Sequence, residues 1–377
     1  MRVTNVQLFK TLVVLPIILV ILTLGLKTQI DSPSIVIRPE GQGPILKVPQ
    51  EYQTIQAAVD AAPPHATIEV APGIYSENLL LYKSVWLKGA GAEQTVIKAA
   101  REGLSTILIV PSGASISGFT ITGAQRAYGV QIYGEAVANI LRAVVTGNSR
   151  GGIRVLGHGS TTIKDSIIRD NDLYGIVLEH VGIREMPGLS TAWVERNQIS
   201  GHKEFGVFIM NAYDIFITGN MLRDNERGGI WLTDAYRIWI LRNDVTRSPR
   251  GAAISGDGVS FMSSDHEVII AGNTLQNNQA GVSMLNIAAV KLYGNRIVEN
   301  QQEGISVLGF AIEAQMEVEL GENTVLDNGT YGMLVQSLSV VKRCSKNLVS
   351  GNRGGDYMIY GSPPQPSPEL KQKCEGS

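Results

Sequence analysis

Cysteine occurs only twice in 377 residues, histidine five times, and aromatic residues make up 6% of the chain. Two cysteines exclude a disulfide-dense scaffold. The five histidines, His65, His158, His180, His202 and His266, show no close paired spacing, so neither a metal site nor a cofactor is expected. A formal net charge of -2, with Lys and Arg scattered along the chain, leaves no basic face and excludes nucleic acid as a partner. Long apolar runs are also missing beyond residue 26. What is abundant is glycine, at 41 residues, which suits a fold of many tight turns.

Those glycines are ordered. A glycine followed by a β-branched or aliphatic residue recurs at Gly129, Gly152, Gly175, Gly206, Gly229, Gly258, Gly281, Gly304, Gly332 and Gly355, with 23 residues as the commonest step. A second column, Asn-x-aliphatic, runs through Asn197, Asn220, Asn243, Asn273, Asn295, Asn323 and Asn347, with Arg142 and Asp165 filling its earlier places. A third alternating segment lies between them, as in Ile215-Phe216-Ile217 and Ile238-Trp239-Ile240. Three short strands per repeat cannot bury an apolar face alone and must stack on copies of themselves. The pattern predicts an all-β fold, a single-stranded parallel β-helix of about 11–12 coils, each strand pairing with its counterpart about 4.8 Å away. Amides stacked in a turn explain the Asn column.

The N-terminus carries Arg2 and Lys10 before an apolar run from Leu12 to Leu26. That arrangement reads as a signal peptide or an uncleaved membrane anchor over residues 1–28, and either places the solenoid outside the cytoplasm, whether periplasmic, cell-surface or secreted. Residues 29–47, with Pro33, Pro39 and Pro44, read as a linker. In 52–62, Thr54 is a candidate N-cap, and Ile55, Ala58, Val59 and Ala62 share one face. A short helix there would cap the first coil, whose strand edges are otherwise open. The solenoid is assigned to 48–361 and a Pro-rich tail to 362–377.

Three stretches carry a resemblance: Tyr52 to Ala62, Ala71 to Glu77, and Leu87-Lys88-Gly89-Ala90-Gly91. With the Gly and Asn columns, residues 49–361 resemble the right-handed parallel β-helices of the pectin-lyase-like superfamily. They are most similar to the group holding periplasmic copper-binding accessory factors and secreted carbohydrate-active proteins. Right-handedness follows from the resemblance and from the general rule for parallel crossovers. The superfamily hosts many chemistries, so the resemblance implies fold more than function.

In the strand after each repeat glycine the first and third residues are apolar and face inward, so the second and fourth face outward. Outward positions include Arg154, Phe208 and Trp231, with Phe208 and Trp231 stacked on adjacent coils. In enzymes of the superfamily the matching face holds the sugar cleft, so Phe208, Trp231, Asn211 and Arg154 are the expected substrate-binding residues. Insertions near 181–190, near 247–256 and after Gly304 would wall that face. At the strand exit His180, Asn211 and Asp234 recur on successive coils, so His180 and Asp234 would stand about 10 Å apart. With Glu179 they are the candidate catalytic set, for groups acting across a bound sugar. Asp265-His266-Glu267 is a second polar cluster.

Gly157-His158-Gly159 is similar to a polygalacturonase segment, but its companion Asp-containing segments are absent. The methylesterase motifs and the calcium-binding Asp cluster of pectate lyases are absent too. Two functions of different class therefore follow. One is an extracytoplasmic monomer that binds or processes polysaccharide, as a lyase, glycoside hydrolase or epimerase if it is an enzyme. The other is a non-catalytic scaffold or metal-delivery accessory factor offering the same face to a protein partner. Cys344 and Cys374 flank the last coil, and in an oxidising compartment a disulfide would tie the tail across the solenoid's end.

Overall fold

The computed structural model describes residues 43–183, 186–248, 257–262, 268–285, 289–308 and 317–375. The chain winds through three parallel sheets, and each coil gives one strand to each. Sheet I has thirteen strands, from Ile45–Val48 to Val341–Ser345. Sheet III has twelve, from Gly73–Ser76 to Leu348–Ser350. Sheet II begins at Leu79–Leu81 and runs in parallel to Gly355–Ile359, where Gln365–Pro366 pairs antiparallel. One coil reads Tyr213–Thr218 in sheet I, Met221–Arg223 in sheet III and Gly228–Thr233 in sheet II. About twelve turns result, as the repeat predicts.

Register is set by the alternation of side chains, because a slip of one residue would turn every apolar side chain outward. Val207 pairs Ile230 and Ile209 pairs Leu232, and all four are fully buried in one continuous column of aliphatic residues.

Asparagine ladders hold the turns. The Asn220 Nδ2 donates to Asn243 Oδ1 (3.0 Å) and to the Val194 carbonyl (2.8 Å), while Asn243 Oδ1 also accepts from the Asn220 backbone N–H (2.9 Å). The same pattern continues through Asn273, Asn295 and Asn323 to Asn347. In the earlier coils the rungs are Ala143 and Ser166, the Ser166 hydroxyl accepting from the Ala143 N–H (3.1 Å) and Asn197 Oδ1 from the Ser166 N–H (3.0 Å). The sequence reading assigned those places to Arg142 and Asp165, which lie one residue earlier, in the left-handed turn conformation with φ of 46° and 50°.

A second ladder stands five residues further on, between sheets III and II. Its rungs are Asn148, Asn171, His202, Asn225, Ser248, Asn278, Asn300, Asn328 and Asn352, all buried. Asn148, Asn300 and Asn328 each donate to the next amide oxygen at 2.8–2.9 Å. His202 replaces an amide: its Nδ1 accepts from the Asn171 N–H (3.3 Å) and its Nε2 donates to the Ile168 carbonyl (3.2 Å). That arrangement needs a neutral ring, and burial lowers the pKa of His202 accordingly.

Both ends of the solenoid are covered. At the start, helix α1 (Ile55–Ala61) is capped by Thr54, whose hydroxyl accepts from the Ala57 N–H (3.1 Å), as its sequence predicts. Ile45–Val48 already pairs in register with Thr67–Val70, so the expected linker of 29–47 ends before Ile45. At the other end the tail is not merely extended. Pro368–Glu375 forms helix α2, which buries Leu370 and Cys374, and the Cys374 sulfur is bonded to that of Cys344. No helix among the described residues is long and apolar enough to cross a membrane; the apolar run Leu12 to Leu26 lies outside them.

Candidate functional site

Two outer faces carry aromatic residues, and their geometry separates them. On sheet I, Trp193, Phe216 and Trp239 occupy successive rungs with ring centroids 3.9 and 4.4 Å apart and planes within 3°. Their facing surfaces are spent on one another, and Trp193 and Phe216 are buried. The sequence reading took these residues as strand formers and missed the stack.

On sheet II, the register of outward positions runs through Leu80, Leu108, Gln131, Arg154, Val177, Phe208 and Trp231, of which Val177 is buried. Phe208 and Trp231 are adjacent rungs, as expected, but the ring that joins them is Phe205, centred 6.1 Å from Phe208 and 4.9 Å from Trp231. Tyr174 adds a fourth ring, 5.4 Å from Phe208 at a 36° tilt. The sequence offered a signal for both: Tyr174 and Phe205 each stand directly before a repeat glycine, where the strand has already begun. Phe205 is buried between its neighbours, whereas Tyr174, Phe208 and Trp231 are half-buried and keep surface for a flat apolar partner.

Charge surrounds the rings. Arg154 is held by Glu179, its Nε 2.7 Å from Glu179 Oε2 and its Nη2 on the same oxygen, and its guanidinium lies 5.6 Å from the Tyr128 ring centre. Arg227 donates to Glu204 (2.6 Å) and covers Phe205 at 5.3 Å. Burial, followed by the charge of Glu204, raises the Tyr174 pKa. Burial also raises that of Tyr128, with the Arg154 and Arg150 charges opposing it.

The expected catalytic set is partly assembled. His180, Asn211 and Asp234 occupy equivalent places on consecutive coils, all left-handed, with φ of 51°, 48° and 49°. The His180 N–H donates to the Met210 carbonyl (3.1 Å) and the Asn211 N–H to the Thr233 carbonyl (3.2 Å), which fixes the stacking. Two rungs give about 10 Å between His180 and Asp234. Glu179, by contrast, is committed to Arg154 instead of standing open beside His180.

Next to this column the 181–190 insertion is pinned down. Asp214, almost fully buried, accepts from Arg237 Nε (2.8 Å) and Nη2 (3.0 Å) and from the Gly188 N–H (3.0 Å). Arg237 also reaches the Ile183 carbonyl (3.3 Å). Met186 and Leu189 remain exposed on its crest. The insertions at 247–256 and after Gly304 fall largely outside the described residues, and Asp265-His266-Glu267 wholly so.

The sequence reading also overlooked a wall at the N-terminal end of the column. The loop 99–105 is gripped by Asn78, whose Oδ1 accepts from the Ala100 and Arg101 N–H groups (3.1 and 2.8 Å) and whose Nδ2 donates to the Ser105 carbonyl (2.9 Å). Behind it lies a cavity of about 280 Å³ floored by Leu108, Gln131 and Arg154.

The chain belongs to the right-handed β-helix family: the family described as "Right handed beta helix region" matches residues 105–261 and 252–367. Among solved structures it is similar to the A-module of the Azotobacter vinelandii mannuronan C-5 epimerase AlgE4, at 20% identity and a TM-score of 0.67 over 82% of this chain and 93% of that one. The Dettilon tailspike protein is similar at 13% identity and a TM-score of 0.57, covering 83% of this chain and 68% of that one. XylC, solved with xylose, is similar at 11% identity and a TM-score of 0.55, covering 74% and 72%. At such identities the likeness is one of fold. No curated protein matches in sequence.

Proposed function

We propose that this protein binds polysaccharide along the outer face of sheet II, outside the cytoplasm, and processes it at the strand exits. The observation that carries the reading is the outward register column from Gln131 through Arg154 to the half-buried Phe208 and Trp231, with the half-buried ring of Tyr174 beside it and the buried Phe205 joining Phe208 to Trp231. An extended glycan could follow it coil by coil, stacking apolar sugar faces on rings while Gln131, Arg154 and Asn211 meet its polar substituents. The similar structures favour the same class of ligand, since one is a mannuronan epimerase module and another was solved with xylose. The N-terminal pattern of Arg2, Lys10 and the apolar run that follows supports export.

Chemistry falls to His180 and Asp234. Their separation of about 10 Å suits an acid and a base acting on opposite sides of a sugar ring, with Asn211 between them orienting a hydroxyl. Glu179 serves through Arg154, holding the guanidinium outward on the column. A glycan-array screen of the purified protein beside Phe208→Ala/Trp231→Ala tests the reading. Retention of one polysaccharide class by the wild type and its loss in the variant is expected. A wild type that binds no glycan would refute the proposal. With a ligand in hand, His180→Ala and Asp234→Asn should keep binding but abolish turnover in lyase, hydrolase and epimerase assays.

A further inference from the structure

The sheet II column does not run open at both ends. It begins at Leu80, and beyond Leu80 the next layer is helix α1, whose Gln56 occupies the strand edge: the Leu80 N–H donates to Gln56 Oε1 (2.8 Å) and Gln56 Nε2 to the Leu80 carbonyl (3.2 Å). The loop 99–105 rises beside it with Leu104 exposed at its crest, and Asn78 ties both ends of that loop down. The 280 Å³ cavity therefore lies where the column meets the capping layer, with Leu79 and Leu80 in its lining, and in the other direction the column continues over the buried Val177 to Phe208. At about 280 Å³ it has room for one sugar ring.

Its charge is one-sided. Arg150 and Arg154 both line the cavity. Arg154 is neutralised by Glu179 and Arg126 is matched by Glu102 (3.1 Å), but no carboxylate among the described residues pairs with Arg150. Arg150 lines the cavity while remaining exposed, so its guanidinium is open to a ligand there. No acidic side chain lines the space. A guanidinium with five donors and no carboxylate partner, beside Gln131 and Arg154, fits an oxyanion on a ring better than a neutral hydroxyl.

We infer that this cavity is a chain-end subsite: it takes the terminal residue of a glycan carrying an anionic substituent, a carboxylate or a sulfate ester, on Arg150. The rest of the chain lies toward Phe208 and Trp231. Arg154 to Trp231 spans three rungs, about 14 Å, so the terminal residue and the aromatic platform are engaged by the same short oligosaccharide. This subsite rests on the polysaccharide reading and adds to it a direction and an end.

The test uses the full-length protein and defined hexasaccharides: oligogalacturonate as the carboxylated probe, sulfated cellohexaose as the sulfated one and cellohexaose as the neutral one. Each is supplied untagged, and with a bulky fluorophore on the reducing or the non-reducing end. The subsite predicts that one anionic hexamer binds more tightly than cellohexaose. It predicts that a tag on one end only weakens binding at least tenfold, and that Arg150→Gln does the same to the untagged anionic hexamer. Asn78→Ala, which frees the loop without touching Arg150, should remove the end preference while thermal unfolding stays cooperative. Preference for the galacturonate or the sulfated cellohexaose tells carboxylate from sulfate. If hexamers bind but both tags and Arg150→Gln leave affinity unchanged, the subsite is overturned and the platform stands. If no hexamer binds the wild type, the polysaccharide reading falls with it.

Discussion

A Cβ placed on Gly206 would lie 2.9 Å from the Asn225 Nδ2 and 2.8 Å from the Gly229 carbonyl oxygen. The same collision recurs at Gly152 with Asn171, at Gly304 with Asn328 and at Gly332 with Asn352. The repeat glycine is therefore a packing requirement of the second asparagine ladder, and not a residue chosen for its backbone freedom. Gly206→Ala should cost about 1–3 kcal/mol, because backbone rather than a flexible side chain must give way. Denaturant unfolding of the variant measures it.

Ser248 shows the ladder's weak point. Its Oγ is buried without a hydrogen-bond partner, where amide rungs such as Asn225 reach a carbonyl one coil back, at Ile199 O (3.3 Å). In the repeat Ser248 stands to Gly229 as Asn225 stands to Gly206, a pair in which glycine makes way for an amide. Ser248→Asn is expected to stabilise the protein by about 0.5–1.5 kcal/mol, seen as a raised Tm.

His202 makes the ladder sensitive to acid. Burial lowers its folded pKa below the ordinary 6.5, so as pH falls through that value the unfolded chain takes up a proton that the folded chain refuses. The contribution of His202 to stability is therefore complete above about pH 6.5 and declines on acidification toward the lower folded value. His202→Asn restores the common rung, and its Tm should fall less than that of the wild type between pH 7 and pH 5.

At the far end, the Cys344–Cys374 disulfide anchors helix α2, and Lys373 adds a hydrogen bond to the Val341 carbonyl. Cys374→Ser should lower stability by about 2–4 kcal/mol. Limited proteolysis is expected to remove the tail of that variant first, after which the exposed edge of Gly355–Ile359 would promote self-association, visible by light scattering.

The fold was legible because two columns keep a 23-residue step that three parallel strands must obey. The second ladder was harder to see, since His202 and Ser248 interrupt its asparagines. Arg142 and Asp165 were misplaced by one residue for a related reason: the true rungs, Ala143 and Ser166, are small, while their polar neighbours look more like asparagine. The outward column on sheet II could be read from alternation alone, which located Arg154, Phe208 and Trp231. Its aromatic joints and its walled end could not. Phe205 lies before the glycine that marks each strand, and the loop 99–105 precedes the first regular repeat at Gly129. That Glu179 is bound to Arg154 depends on a pairing between coils that no local pattern reveals.

The most direct measurement is a calorimetric titration of the best array ligand into wild type, Phe208→Ala/Trp231→Ala, and a Trp239→Phe control on sheet I. Binding on sheet II predicts that the double variant loses at least tenfold in affinity, about 1.4 kcal/mol or more, while the control matches the wild type. Equal affinity in the double variant and the wild type, or loss confined to the sheet I control, would contradict it.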